Sequence, residues 1–404
     1  MTISLCMIVK DEADNLPRCL ESVKGCVDEM RILDTGSQDD TIAIAQSLGA
    51  IVETAEWTQD FAVARNRSLA NATGDWIFVL DADETVTDAG RELLSQIGTE
   101  NSVGDQDLTT VLAVSLLRYE SQAAQTPYSE VSRLFRRRQE IYFERPYHET
   151  VDDSVTRLMQ AEPLWQVVSW PQVAISHSGY AAEAIAQRDK FARAETIMAT
   201  YLVEHPQDAY ICNKLGALYV SLGNNDQGRS LLERGLAAQP TDASTLYELH
   251  YHLGLAYRDA GLAAIAVDHY QKSLAQEIAP ALKVGAYLNL GSLYQGNQNL
   301  EGAIALYGQA IAAAPDFALA HFNLGIAKRA MGDLTGAVAA YEQAITCDPT
   351  YAAAHQNLGV ALFKLSKIPE SIQAFQRAIA LYRQSEPAKA EDLLQRISGL
   401  GIKV

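Results

Sequence analysis

A leucine-glycine motif recurs five times in the second half of this chain, and nothing else in the sequence restricts the fold as tightly. It reads LGALY at Leu215, LGLAY at Leu253, LGSLY at Leu290, LGIAK at Leu324 and LGVAL at Leu358, with the last three starting 34 residues apart. Twelve residues after each motif glycine stands a small residue (Gly228, Ala266, Ala303, Ala337, Ser371). Four further on stands a bulky one (Leu232, Tyr270, Tyr307, Tyr341, Phe375). Pro240, Pro315 and Pro349 close three of the units. Constant offsets of this kind suit stacked helix pairs, in which small residues let two helices approach and bulky ones fill the gap between pairs.

This is the tetratricopeptide pattern, and it predicts an all-α solenoid over residues 181–404. Phe191 to Pro206 reads as the second helix of a preceding half-repeat, and Ala388 to Leu400 as a solvating cap helix.

The first half follows a different rule. Strand-like runs at Ile3–Val9, Glu29–Asp34, Ala50–Thr54 and Trp76–Asp81 alternate with helical stretches at Leu16–Val23, Thr41–Leu48 and Phe61–Ala72. Asn15 is placed to cap the first helix and Asp40 to open the second. Such alternation predicts a parallel sheet covered on both faces. From Leu108 to about Val151 longer β-like stretches, VLAVSLLRY and RLFRR among them, predict mixed strands that close an α/β domain over residues 1–180.

Composition narrows the function. The net charge of −18, from 32 basic and 50 acidic residues, disfavours nucleic acid or an anionic membrane as partner. Apolar runs such as Val111–Leu117 are too short to span a bilayer, and the N-terminus does not read as a signal peptide. Five cysteines without a CxxC pair point to reduced, buried thiols and a cytoplasmic setting.

The chemistry lies where strands end. Asp11 and Glu12 follow the first strand, Asp34 ends the second, and Asp81, Asp83 and Glu84 follow the fourth. In open α/β sheets ligands sit beyond the carboxyl ends of the strands. Converging carboxylates repel one another, and Mg²⁺ or Mn²⁺ shared with phosphate oxygens relieves that repulsion. Solvated loop acids are the alternative. No GxGxxG follows the first strand, which argues against a dinucleotide enzyme.

CMIVKDEADNL, ILDTGSQDDT, FAVARNRSLANATGDWIFVLDADE, YHETV and ISHSGY, in this order over Ser4–Tyr180, resemble an inverting family 2 glycosyltransferase of the GT-A fold (a Rossmann-like nucleotide-diphospho-sugar transferase domain). The similarity is closest to bacterial members fused to tetratricopeptide repeats, although Lys-Asp-Glu stands where relatives often have Lys-Asn-Glu. The resemblance implies that Asp34 accepts from the base of a UDP-type donor and that Glu12 faces base or ribose. It places Arg65 on nucleotide or phosphate and Asp81 near ribose or metal-bound water, with Val9 and Ala82 completing the nucleotide-sugar contacts. Asp83 would ligate Mn²⁺ or Mg²⁺ directly, joined by Asp81 and His177. Glu149 would be the base that takes the acceptor's proton, with His148 as base or orienting group. Pairing of Glu149 with a nearby arginine such as Arg136 or Arg145 is the non-catalytic alternative.

Asn289, Asn323 and Asn357, one per repeat, suggest an amide ladder that holds a protein or peptide acceptor; simple tolerance of asparagine on the inner helix is the alternative. Two other functions stay open. One is an interaction scaffold with an inactive transferase domain; the other is a haloacid-dehalogenase-like phosphatase, to which FVLDADETV is also similar. His250 and His252, two apart on a helix, cannot chelate together. His321 and His355 lie 34 apart because the repeat does.

Overall fold

A computed structural model describes residues 1–399 other than Asn101, Gly104, Asp105, Gln122, Ala124 and 179–183. The chain divides into two compact units, Met1–Pro240 and Thr241–Val404. The expected boundary at 180/181 lies outside the described residues, as do Gly179 and Tyr180 of the ISHSGY block.

The first unit opens β1 (Ile3–Val9), α1 (Leu16–Val23), β2 (Glu29–Asp34), α2 (Thr41–Ser47), β3 (Ile51–Thr54), α3 (Phe61–Leu69), β4 (Trp76–Val79), β5 (Glu84–Val86) and α4 (Asp88–Thr99). A small hairpin, β6 (Ser102–Val103) and β7 (Gln106–Asp107), leads to β8 (Val111–Glu120), β9 (Tyr128–Arg136), α5 (Asp152–Ala161) and β10 (Gln166–His177). Three helices complete the unit: α6 (Ala184–Glu204), α7 (Ala209–Ser221) and α8 (Asn225–Ala237).

The main sheet runs β3-β2-β1-β4-β9-β8-β10-β5. β1 is parallel to β2 and β4, and β2 is parallel to β3, as the alternation predicts. β9 runs antiparallel to both β4 and β8, and β10 is parallel to β8. So β8 and β10 point the same way as β1, β2 and β4, and all five deliver their last residues to one edge.

Alternation along the strands sorts side chains between two cores. Leu5, Met7, Trp76, Phe78 and Leu80 pack with Leu16 and Leu20 of α1 and Leu93 and Ile97 of α4. Cys6, Ile77 and Val79 face the other way, onto Ala62 of α3 and Val155 and Leu158 of α5. β1 is therefore buried along nearly its whole length, which explains its unbroken apolar run.

Two helix starts differ from expectation. Asn15 makes no side-chain cap and its amide donates to Glu12 Oε2 at 3.1 Å. Asp40 precedes α2 without capping it, and Asp39 Oδ1 accepts from Thr41 N at 3.0 Å instead.

The second unit is helical: α9 (Ala243–Asp259), α10 (Ala263–Leu274), α11 (Val284–Gly296), α12 (Leu300–Ala313), α13 (Ala318–Met331), α14 (Leu334–Cys347), α15 (Ala352–Lys364), α16 (Ile368–Ser385) and α17 (Pro387–Gly399). The repeat glycine is explained by its partner sixteen residues on. A Cβ on Gly254, Gly291, Gly325 or Gly359 would lie 2.5–2.7 Å from the ring of Tyr270, Tyr307, Tyr341 or Phe375. The bulky residue thus lies across its own pair's glycine, not only in the gap between pairs as the spacing suggested. Tyr270 also clusters with Ala286 and Leu290 of the following helix. His321 and His355 each donate Nε2–H back to a repeat-closing carbonyl, Pro315 O at 2.7 Å and Pro349 O at 3.1 Å. Their spacing is structural.

Candidate active site

Two loops beyond β1 and β2 are knitted together by side chains that the sequence offered for binding. Asp34 is 1% exposed and its carboxylate turns into its own loop. Oδ1 accepts from Gly36 N and Ser37 N, both at 2.9 Å, and Oδ2 accepts from Ser37 Oγ. These bonds shape the Thr35–Ser37 turn. Asp11, held at φ 54°, donates its N–H to Ser37 Oγ at 2.9 Å and accepts from Gln38 N at 2.7 Å. Glu12 N donates to Thr41 Oγ1 at 2.7 Å. Val9 is buried and its carbonyl accepts from Thr35 N at 2.9 Å; Ala82 is buried as well.

Next to this clasp, acidic and basic side chains alternate in one continuous chain. Glu149 Oε1 accepts from Arg65 Nε at 3.0 Å. Arg65 Nη2 donates to Asp81 Oδ1, and Asp81 Oδ2 accepts from Arg133 Nη2 at 2.7 Å. Arg133 Nη1 reaches Glu84 Oε2 at 2.5 Å, and Glu84 Oε1 accepts from Arg118 Nη1 at 2.6 Å. Arg118 Nε donates to Glu120 Oε1 at 2.8 Å. Glu120 Oε2 and Asp83 Oδ2 then flank the His177 ring, 2.6 Å from Nδ1 and 3.1 Å from Nε2. The elements explain the convergence. α3, started by an Asp60 cap on Val63 N, presents Arg65. β4 runs out at Asp81, and β8 and β10 bring Glu120 and His177 to the same edge.

Charge neutralisation answers why an apolar strand runs into three carboxylates. Glu84 has no exposed side-chain surface and would be costly there unpaired. Arg118, Arg133 and the Asp81 N–H (2.9 Å) satisfy it. Burial by itself raises the Asp81 carboxyl, but Arg133 and then Arg65 outweigh that and hold it well below the usual carboxylate range. Hydrogen bonds to Asp83 and Glu120 push His177 up to about 9, against the opposing effect of burial. Burial raises Glu120, but the His177 bond, Arg118 and Ser129 bring it down to about 2.

Arg65 carries the feature that most directly asks for a ligand. Its side chain is 3% exposed, and Nη1 is buried without a hydrogen-bond partner among the described residues. An unmet buried donor costs about 1–3 kcal/mol, which an acceptor oxygen arriving at this nitrogen would remove.

The divalent ion implied by the resemblance can be tested against the donor set. Two adjacent ligands of an octahedral Mg²⁺ or Mn²⁺, each ~2.1 Å from the ion, stand about 3 Å apart. Asp83 Oδ2 and His177 Nε2 are 3.1 Å apart, so they fit; ligation through Nε2 requires its proton to leave. Asp81 fits direct ligation poorly, because Arg65 and Arg133 each take one of its oxygens. No group of three or more His, Cys, Asp or Glu able to hold an ion occurs among the described residues. Such an ion would therefore draw its remaining ligands from phosphate and water, as Mg²⁺ commonly does.

Glu149 does pair with a nearby arginine, as the non-catalytic alternative has it, but the partner is Arg65 and neither Arg136 nor Arg145. Arg136 binds the carbonyls of Val111 and Leu108, and Arg145 binds Asp153 and Asp208. His148 is exposed at φ 54° with its ring edge-on to Tyr147, 4.9 Å away. Sequence reasoning missed Arg133, Arg118 and Glu120. The one available signal was arginine interrupting otherwise apolar strands, in SLLRYE and SRLFR.

In the repeats the amide ladder is broken at its first rung. Asn289 is 3% exposed and satisfied internally: Oδ1 accepts from Arg258 Nη1 at 2.6 Å and Nδ2 donates to Gly285 O at 2.8 Å. Asn357 donates to Ala353 O at 2.9 Å, one turn back on its own helix. Asn323 is half-buried. Asn289 has to be withdrawn as an acceptor-binding residue.

A mixed α/β sheet with an acid-rich edge, followed along the chain by helix pairs, is the arrangement of an α/β domain joined to tetratricopeptide repeats. The model for "Glycosyl transferase family 2" matches residues 4–168, and the models for "Tetratricopeptide repeat" and "TPR repeat" match residues 284–317 and 327–366. The chain is 46% identical over 314 residues to a TPR repeat-containing protein of Synechococcus elongatus, covering 78% of this chain and 76% of that protein. It is 29% identical over 199 residues to an uncharacterized glycosyltransferase of Rickettsia felis (48% and 68% covered). It is also 29% identical over 150 residues to the SPbeta prophage-derived glycosyltransferase SunS of Bacillus subtilis (37% and 34% covered). The chain belongs to the family 2 glycosyltransferases that carry tetratricopeptide repeats. Among the described residues no helix is long and apolar enough to cross a membrane.

Proposed function

We propose that this glycosyltransferase is metal-dependent and inverting, and that it moves a sugar from a UDP-type nucleotide sugar to a protein or peptide acceptor held by the repeats. The observation that carries the reading is Arg65, a buried guanidinium that joins Glu149 to Asp81 and keeps one nitrogen without a partner. Donor phosphate or ribose oxygens suit that nitrogen. Asp81, kept ionised by Arg65 and Arg133, holds both guanidiniums in place. Arg65 occupies Oε1 of Glu149, which leaves Oε2 to take the proton of the attacking hydroxyl or thiol. A divalent ion held by Asp83 and His177 would supply Lewis-acid compensation of charge on the departing diphosphate. Tetratricopeptide repeats are protein-binding modules, which supports a polypeptide acceptor; Asn323 and Asn357 remain candidates for its contacts.

A thermal-shift panel of nucleotide sugars with and without Mn²⁺ tests this reading. The matching donor, at a hundredfold over its dissociation constant, adds about 2.7 kcal/mol of stability. Asp83→Ala should abolish the Mn²⁺-dependent part. A panel in which Mn²⁺ changes nothing for any nucleotide sugar overturns the metal-dependent reading and favours the scaffold.

A further inference from the structure

The segment that carries Glu149 is held in a conformation it would not choose alone. Glu144 and Thr150 pair backbone to backbone, N–H to O at 3.0 and 3.3 Å, and pinch the five residues between them into a loop. Two of those five, Arg145 (φ 73°) and His148 (φ 54°), adopt left-handed backbone. For residues with a Cβ that backbone is unfavourable and persists only where surroundings enforce it.

The enforcing contacts come largely from helices that belong, by sequence, to the repeats. Arg145 Nε donates to Asp208 Oδ2 at 2.8 Å, with each side chain only 11% exposed. The Arg145 guanidinium lies 4.9 Å from the ring centre of Tyr210 on α7, and Nη1 binds Asp153. Tyr147 packs against the cluster formed by Ala194, Met198 and Leu202 of α6 with Ile211 and Leu215 of α7. From the sheet side, Phe61 N donates to Pro146 O at 3.0 Å and Arg65 holds Glu149. The loop is clamped between the transferase sheet's own α3 and the first repeat helices.

We propose that Asp208, through Arg145, is a positioning residue for Glu149, so that the first repeat helix is a working part of the transferase rather than only a surface for the acceptor. This rests on the reading of Glu149 as the base. The two oxygens of Asp208 have separable duties, since Oδ1 caps α7 by accepting from Ile211 N at 2.9 Å while Oδ2 takes Arg145 and the Tyr201 hydroxyl, at 2.8 and 3.2 Å. Asparagine caps helices as well as aspartate does, so Asp208→Asn keeps α7 and removes the charge that holds Arg145.

Hydrogen exchange of the full chain tests this without a substrate. In Asp208→Asn the amides of residues 144, 145 and 147–150 should exchange at least tenfold faster while those of α7 and β1 stay unchanged. Asp208→Glu should restore most of the protection. Asp226→Asn, an exposed first-turn carboxylate of α8, should change nothing. UDP release from UDP-glucose with Mn²⁺ gives the second readout: kcat falls at unchanged donor KM. Loop exchange within twofold of wild type in Asp208→Asn, or a change in KM alone, overturns the inference. Full activity in Glu149→Gln instead overturns the base assignment, and the exchange experiment tells the two failures apart.

Discussion

Replacing Arg133 by methionine puts the charge chain to its most direct test. Methionine keeps an unbranched side chain of similar reach but removes both guanidinium contacts, to Asp81 Oδ2 at 2.7 Å and Glu84 Oε2 at 2.5 Å. Glu84 keeps Arg118 and the Asp81 N–H, yet its carboxylate has no exposed surface from which to recruit water. Breaking a buried pair by removing one partner costs about 3–5 kcal/mol, mostly because the surviving charge is stranded. For a body the size of Met1–Pro240, each kcal/mol moves the midpoint by about 2–4 °C. The expected fall in Tm is therefore roughly 6–20 °C. The assay follows from the sequence: all four tryptophans, Trp57, Trp76, Trp165 and Trp170, lie in the first unit, so tryptophan fluorescence reports its unfolding alone. Arg133→Met/Glu84→Gln should recover part of the loss, because the stranded charge is then gone. A single-variant shift under about 2 °C would refute the claim that these pairs hold the edge of the sheet together.

Three further outcomes are expected. Gly325→Ala places a Cβ 2.5 Å from the Tyr341 ring and should cost about 1–3 kcal/mol by overpacking, with Gly325→Ala/Tyr341→Leu recovering much of it in a circular-dichroism melt. Asn289→Ala, which strands buried partners, should destabilise the second unit by about 1–3 kcal/mol in denaturant titration, whereas Asn323→Ala should stay within about 0.5 kcal/mol. His250 Nδ1 lies 3.0 Å from His269 Nδ1, and burial, then His269 and Lys272, push it down to about 4. A folded-state value below the unfolded one favours the neutral ring, so its stabilisation is present above about pH 6.5 and is lost as pH falls towards 4. Melts of the second unit between those pH values should show the loss in wild type and a smaller one in His250→Gln.

Much of the architecture is legible in the sequence because it rests on local periodicity. Alternation of strand and helix up to Asp81 identifies the parallel core, and the recurring leucine-glycine motif locates every repeat glycine, the last three 34 residues apart. The acids at the strand ends are equally visible, since an apolar run that stops at a carboxylate is a local feature. Their partners are not. Arg133 and Arg118 lie 52 and 34 positions beyond Asp81 and Glu84, and only their place in otherwise apolar strands marks them. Asn289, Asn323 and Asn357 look equivalent in sequence, but only the first has an Arg258 to bury it.

By itself, then, the chain's pattern determined two kinds of fold in series and the edge of the sheet where acids gather, because helix and strand periods depend on neighbours a few residues away. Tertiary structure decided which carboxylates stay available. The directions of β8 and β10 bring Glu120 and His177 to that edge, and burial forces each acid there to find a cation or a proton. Asp34, Asp81 and Glu84 accept from groups that hold the loop and the sheet edge in shape, while Asp83 meets His177 and Glu149 meets Arg65.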